Sequence, residues 1–378
     1  MNKVIIIGND HVNTLGVIRT FGENGIKPYV FVVSKTHNVS VIKSKYIYKY
    51  WICTNEEIAL LTIMSVFKEE TEKPVIIPTT DLATYKIDEI YDILSKNFIV
   101  PNLDGKQGNI IQFMDKYNQY NLVKKQHIKM AKSKLIDICN SKEEFDLPCI
   151  MKPVISANGQ KDDITICNNI QEYHQALKKL KELNYDKILL QEFIHYDYEV
   201  DIGGFSYNGK TSVAGIIKKE RIWPQKRGST TFGVVIPKEK YQDLTNQIEK
   251  LMNHIHYNGI FDIECFVCKD TFYINEINFR NGAPSYAFGD ARIVYYWYLS
   301  NIHKKFYNCP LITDEYYFMD DQADLLNVLD KEISYSTSIK DKKKCKILLG
   351  DNPLDNRVAK SMKFHKVLNK LKLSGFYQ

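Results

Sequence analysis

Glu264 stands twelve residues before Glu276, and Glu276 opens the run Glu276-Ile277-Asn278-Phe279-Arg280. The flanking stretches 259–267 and 271–278 read as two strands around a short polar break, which is the pattern of a hairpin. With a three-residue connection at Lys269-Asp270-Thr271, Glu264 falls directly opposite Glu276, and opposed residues of an antiparallel pair share a face. Asn278 and Arg280 follow on that face by the period of two. Two carboxylates, an amide oxygen and a guanidinium on one patch suit a magnesium-phosphate site. Mg2+ is usually held by one or two carboxylates plus substrate phosphates, and an arginine beside it stabilises charge on a transferring phosphoryl group. A solvated hairpin face is the alternative, and a one-residue change in turn length would part the two glutamates.

The elements that must position this patch change character along the chain. Up to about residue 100, strand-like segments at 3–7, 28–33 and 74–78 alternate with helix-like segments at 14–24, 56–70 and 84–95, which argues for βαβ units and a parallel sheet. Gly8-Asn9-Asp10-His11 after the first strand lacks the glycine spacing of a dinucleotide fingerprint, which counts against an NAD-dependent oxidoreductase. A small-molecule site at these strand ends stays open, with Asp81 after Pro78-Thr79-Thr80 as a polar candidate. Lys152 lies in the apolar strand 148–153, where a bare ammonium is costly unless it meets an anion, although such side chains mostly snorkel to water. The strand 188–194 stops at His195-Tyr196-Asp197, and Glu199 opens the next one.

At 378 residues, with 44% hydrophobic and 25% charged side chains, the chain has room for two or three modules of an ordinary globular enzyme. No run of about 18 apolar residues and no signal-peptide layout follow Met1, so a cytoplasmic protein without a membrane span is expected. The eight cysteines are scattered. Cys265 and Cys268 point to opposite faces of the Glu264 strand, which speaks against a zinc knuckle or redox pair. A net charge of +6 is modest, and the basic run 340–344 reads as a solvated loop, so no nucleic-acid partner is expected.

Lys116, Lys152, the string Gln191-Glu192-Phe193-Ile194, Glu199 and the residues from Glu264 to Arg280, taken in order, resemble the ATP-grasp superfamily. The resemblance is to its carboxylate-amine ligases in particular, similar to the carbamoyl phosphate synthase large subunit and D-aspartate ligase, and it covers most of residues 1–300. It implies an α/β architecture, α+β in the ATP-binding part. An N-terminal Rossmann-like pre-ATP-grasp domain would span 1–100, a small ATP-grasp subdomain 101–190, a large subdomain with the magnesium site 191–309, and a C-terminal accessory region 310–378. It also implies that Lys116 and Lys152 contact the phosphates of ATP and that the hinge Gln191–Ile194 clamps adenine through the Glu192 carbonyl and the Ile194 amide. Glu199 would take the ribose hydroxyls. Glu264, Glu276 and Asn278 would hold Mg2+, two ions in all with Mn2+ as an alternative, and Arg280 would stabilise the transferring phosphate.

One departure concerns the phosphate-covering loop. Ser156-Ala157-Asn158-Gly159-Gln160 offers Ser156 and Gly159 as phosphate contacts but has a single glycine and runs into Lys161-Asp162-Asp163. On the substrate side, 218–231 reads as a cation-rich loop in which Arg221 or Arg227 could pair a carboxylate, with Ser285 and Arg292 as further candidates. The implied reaction joins a small-molecule carboxylate to an amine through an acyl phosphate. Amino acids or a cell-wall or polysaccharide precursor are candidate substrates, and a homodimer is a candidate assembly. A nucleotide-binding regulatory or assembly protein without ligase turnover is the alternative.

Overall fold

The computed structural model describes residues 2–138, 145–154, 163–225 and 228–373. Among these residues three sheets form. The first is parallel and carries the apolar run seen at the N-terminus: Val4–Gly8 lies between Tyr29–Val33 and Val75–Pro78, with Lys49–Cys53 on the outer edge. Helices cover both faces, which is why Val4 to Ile7 are apolar without alternation and fully buried. The helix starts are set by caps. His11 caps Val12–Glu23, the Asn55 side chain accepts from Ile58 N to start Glu56–Val66, and Thr80 caps Asp81–Glu89. The expected helix at 84–95 is two pieces, Asp81–Glu89 and Tyr91–Leu94, broken at Ile90.

The second sheet is small and antiparallel. Its order is Ser133–Asp137, Lys187–Glu192, Cys149–Pro153, Thr165–Cys167, and the helix Ile170–Glu182 buries Tyr173, Ala176 and Leu180 against it.

The third sheet has eight strands. Seven lie in the order Thr271–Asn278, Tyr257–Cys268, Tyr198–Tyr207, Lys210–Trp223, Ser229–Ile236, Tyr316–Met319, Cys345–Leu348, and Asn102–Leu103 pairs with the start of Tyr257–Cys268. Alternation divides this sheet sharply. Val200, Ile202, Ile216, Ile263 and Cys265 turn to one face and pack with Leu244, Ile248, Leu251 and Met252 of the helix Gln242–His254, each burial worth about 1.5–3 kcal/mol. Glu199, Asp201, Asp262, Glu264, Glu276 and Asn278 alternate onto the opposite face.

Two expectations are corrected here. The cation-rich stretch 218–231 is largely sheet: Lys210–Trp223 and Ser229–Ile236 pair antiparallel, so most of its backbone polar groups are engaged in the ladder. Residues from 310 onward do not stand apart as an accessory. Tyr316–Met319 and Cys345–Leu348 extend the large sheet, and the helix Asn356–Leu373 returns to the N-terminal sheet, where Ser361 and His365 meet Ser40 at 3.0 and 2.9 Å.

Candidate active site

The hairpin carries the site, by a route other than the expected one. Its turn has two residues, Lys269 and Asp270, both at positive φ (46° and 62°), and Cys268 pairs with Thr271. That register alone would set Glu264 against Asn275. A shift between Glu264 and Cys265, with Asn275 as the extra residue, restores Glu264 opposite Glu276 and places Asp262 opposite Asn278. The carboxylates meet as the spacing predicts, while the three-residue connection is replaced by a tight turn plus a bulge.

Around this face the structure gathers the basic residues. Lys116, first residue of the helix Lys116–Lys125, reaches Glu276 Oε1 at 3.0 Å, and its backbone N–H donates to Val154 O at the end of the Lys152 strand. Lys152 is buried and donates to Gln191 Oε1 at 2.8 Å. Burial, together with the charge of Lys116, depresses its pKa to about 8 against the pull of Glu276 and Glu264. Gln191 in turn donates to Ser133 Oγ at 3.1 Å, so its side chain orients Lys152. Arg280 donates to both oxygens of Asp81, Nε to Oδ1 at 2.8 Å and Nη2 to Oδ2 at 3.2 Å, a fork that fixes the guanidinium plane beside Asn278.

Lys219 and Asp201 complete the face. The Lys219 ammonium sits 3.0 Å from Asp201 Oδ1, 3.2 Å from Glu199 Oε2 and 3.6 Å from Glu264 Oε2. Burial opposes its charge, but Asp201, Glu264 and Glu199 outweigh burial and hold its pKa well above the ordinary lysine value. Asp201 is pushed up to about 6, by burial first and then by its acidic neighbours against Lys219. Asp262 is driven up by burial and by Asp201. Gly282 lets the chain after Arg280 pass close to Asp262, since a Cβ there would lie 2.6 Å from Asp262 Oδ1. The signal for these residues was the alternation of Glu199 with Asp201 and of Ile217 with Lys219, which becomes informative only once the four central strands are placed side by side.

The hard oxygen donors of this face fit a magnesium ion. Glu264 and Glu276 supply carboxylates, and Asn278 is buried with its amide nitrogen unpartnered and its oxygen in only a 3.4 Å contact with Arg280. Among the described residues no group of three or more His, Cys, Asp or Glu side chains could hold a metal alone.

The other candidates fall in different places. Glu192 closes its strand with Oε2 accepting from Lys132 N at 3.2 Å. Phe193 N donates to Pro148 O, and the Phe193 ring meets His195 edge-on at 4.9 Å. Ile194 follows, half-buried, before the chain returns to the large sheet. Arg221 is not with the acidic face: it forks onto Asp324 at 2.6 Å, reaches Asp341 at 3.1 Å and lies over the Phe232 ring. Its guanidinium is therefore committed to holding the helices Asp321–Leu329 and Tyr335–Lys342 on the sheet. Arg292 pairs with Glu23 at 3.3 Å, and Ser285 lies in the short 3-10 turn Ala283–Phe288. Ser156, Gly159 and Arg227 lie outside the described residues.

Comparison with known proteins follows the same strands. Residues 118–282 match the ATP-grasp domain. Among curated proteins, the formate-dependent phosphoribosylglycinamide formyltransferase of Wolinella succinogenes is 25% identical over 152 residues, 39% of this chain and 38% of that protein. The N5-carboxyaminoimidazole ribonucleotide synthase of Staphylococcus haemolyticus is 23% identical over 223 residues, 52% of this chain and 55% of that one. The chain thus matches between about a third and about half of these relatives' lengths. The crystal structure of L-amino acid ligase from Bacillus licheniformis superposes with a TM-score of 0.61 at 16% identity, covering 80% of this chain and 74% of that one, a likeness of fold. The segment that matches the ATP-grasp domain, residues 118–282, contains the small sheet, the central strands and the Glu264-to-Arg280 face.

Proposed function

We propose that this chain is an ATP-dependent carboxylate-amine ligase that works through an acyl phosphate and releases ADP and phosphate. The observation that carries the reading is the single sheet face on which Glu264 opposes Glu276, with Lys116 on Glu276 and Arg280 beside Asn278. In this reading residues 1–100 are the Rossmann-like domain, the small sheet covers the nucleotide, and the large sheet carries the chemistry.

Glu264, Glu276 and Asn278 would hold Mg2+, two ions in this proposal, which would neutralise phosphoryl charge when bound. Lys116 and Lys152 bind the phosphates of ATP, the Glu192–Ile194 backbone meets adenine, and Glu199 meets ribose. Arg280, pre-oriented by Asp81, stabilises the oxygens of the γ-phosphoryl group as it transfers. A substrate carboxylate oxygen attacks the γ-phosphorus, the bond to the bridging oxygen breaks, and ADP leaves. The amine nitrogen then attacks the acyl carbon, the bond to the phosphate oxygen breaks with its electron pair, and the amine proton is lost. No protein nucleophile is required.

The test is ADP release and hydroxamate formation with hydroxylamine across a panel of carboxylates. Carboxylate-dependent hydroxamate is the expected result. ATP binding without hydroxamate from any carboxylate would favour a regulatory nucleotide-binding protein instead.

A further inference from the structure

The order of the N-terminal sheet reverses between Val4–Gly8 and Val75–Pro78. The chain steps outward from the first strand through Tyr29–Val33 to Lys49–Cys53 and then returns to the other side. Ligands of open α/β sheets bind outside the carboxyl ends of the strands at such a reversal. Here that crevice lies between Asn9-Asp10-His11 and Thr79-Thr80-Asp81. Its third wall is the reaction strand: Asp81 holds Arg280, and Asn13 Nδ2 donates to both Thr79 O and Asn281 O, at 2.9 and 2.8 Å. Its fourth wall is the C-terminal helix Asn356–Leu373, anchored where Lys43 Nζ donates to Ser361 Oγ at 2.7 Å.

Most polar groups around the crevice are already engaged. Asp10 accepts from the backbone of Ser40 and Val41, and Asp81 is taken by Arg280. Asp320 Oδ1 caps the helix Asp321–Leu329 by accepting from Gln322 N and Ala323 N. Two donors remain. His11 Nδ1 accepts from Asn13 N at 3.2 Å, so the neutral ring carries its proton on Nε2. Burial, with Lys366 and Arg280 nearby, favours that neutral form against Asp320 and Asp10. Lys366 makes only a loose 4.0 Å contact with Asp320 Oδ2. Lys366 and Asp320 both lie close enough to His11 for their charges to act on its ring, and an ammonium beside an N–H suits a carboxylate.

We propose that this crevice binds the amine substrate and that the amine carries a carboxylate. Lys366 and His11 Nε2–H hold the carboxylate, Asp320 positions Lys366, and the amino group is directed toward Arg280, where the acyl group is activated. The acceptor is thus of the amino-acid class. This assignment rests on the ligase reading.

Hydroxylamine separates the two, because it is an amine without a carboxylate. In the wild-type protein, hydroxamate formation reports acyl activation, and amide formation over a panel of amino acids and their carboxamides reports the acceptor site. Lys366→Met should lower the ratio of amino-acid coupling to hydroxamate formation roughly 10- to 100-fold, through the amino-acid KM, the scale of a lost charge-assisted bond. Lys366→Arg should restore most of it. Lys366→Gln provides the same test should the methionine variant fold poorly. An unchanged ratio in these variants, or equal coupling of an amino acid and its carboxamide by the wild type, would overturn the acceptor site alone. Absence of hydroxamate in the wild type would overturn the ligase reading and the acceptor site with it.

Discussion

At Lys152 burial and the proposed phosphate contact pull in opposite directions. Its pKa of about 8 lies below the ordinary 10.5, so between those two values the unfolded chain holds a proton that the folded chain does not. Stability therefore rises with pH across that window, and at pH 7 the charged lysine costs the fold free energy. Lys152→Met should stabilise the fold at pH 7 by on the order of 1 kcal/mol, read as a higher melting temperature, with a gain that shrinks toward pH 10. The same variant should bind ATP far more weakly while binding adenosine almost as the wild type does. Wild-type ATP affinity should fall between pH 7 and 9, and titration calorimetry showing a flat profile would mean that Lys152 does not meet phosphate.

Glu276→Gln is the complementary case. It keeps shape and removes a hard anionic ligand, so ADP release should drop below detection with the melting curve changed little, and wild-type turnover would take Glu276 out of the reaction. The pairing of Glu276 with Glu264 was legible because the signal is local: a spacing of twelve across a hairpin. Lys219 was not, because its partners Glu199, Asp201 and Glu264 come from two other strands. Arg221 was misread for the same reason, its aspartates lying more than a hundred residues away.

At the scale of elements, the hairpin shows why a correct pairing can follow from an incorrect turn. Lys269 and Asp270 both adopt left-handed backbone, where Asn-Gly is the favoured pair, and neither residue announces such a turn. Replacing them together by Asn and Gly should stabilise the fold by about 1 kcal/mol, read as a shift in the thermal midpoint with ADP release unchanged. A loss of activity would show that the bulge at Asn275 depends on the native turn. The parallel N-terminal strands were legible from their continuous apolar runs. The strands at 210–223 and 229–236 were not, because cations on a strand and cations on a loop look alike until the partners of the ladder are known.

For the whole molecule, the decisive tie is buried and distant in sequence. Arg19 Nε donates to Asp355 Oδ2 at 3.1 Å with both side chains almost fully buried, and its Nη groups take the carbonyls of Leu349 and Gly350. Asp355 also accepts from Ser44 and Lys45. Asp355→Ala leaves an uncompensated guanidinium inside the protein, and a cost of about 3–5 kcal/mol is expected in urea denaturation, with proteolysis at 349–356 accelerated first. Unaltered stability would mean that water or a neighbouring group replaces the carboxylate. A bond between residues 19 and 355 leaves no periodic trace in the sequence, which is why the last seventy residues read as separable when they are not.

The small sheet stands differently. The chain enters it after Lys129 and Met130, which meet Ile274, and leaves it at Asp197, whose N–H donates to Val267 O at 2.7 Å. Both attachments lie on the one hairpin that carries Glu264 and Glu276. Lys152 belongs to the attached part, while Lys116 precedes the entry point and is fixed against Glu276. The two like charges therefore come from opposite sides of that junction, and each disfavours the charge of the other, Lys152 being depressed by Lys116. In the proposed reaction a polyphosphate between them would turn that mutual cost into a shared attraction, so the same pair that burdens the fold would favour the ligand.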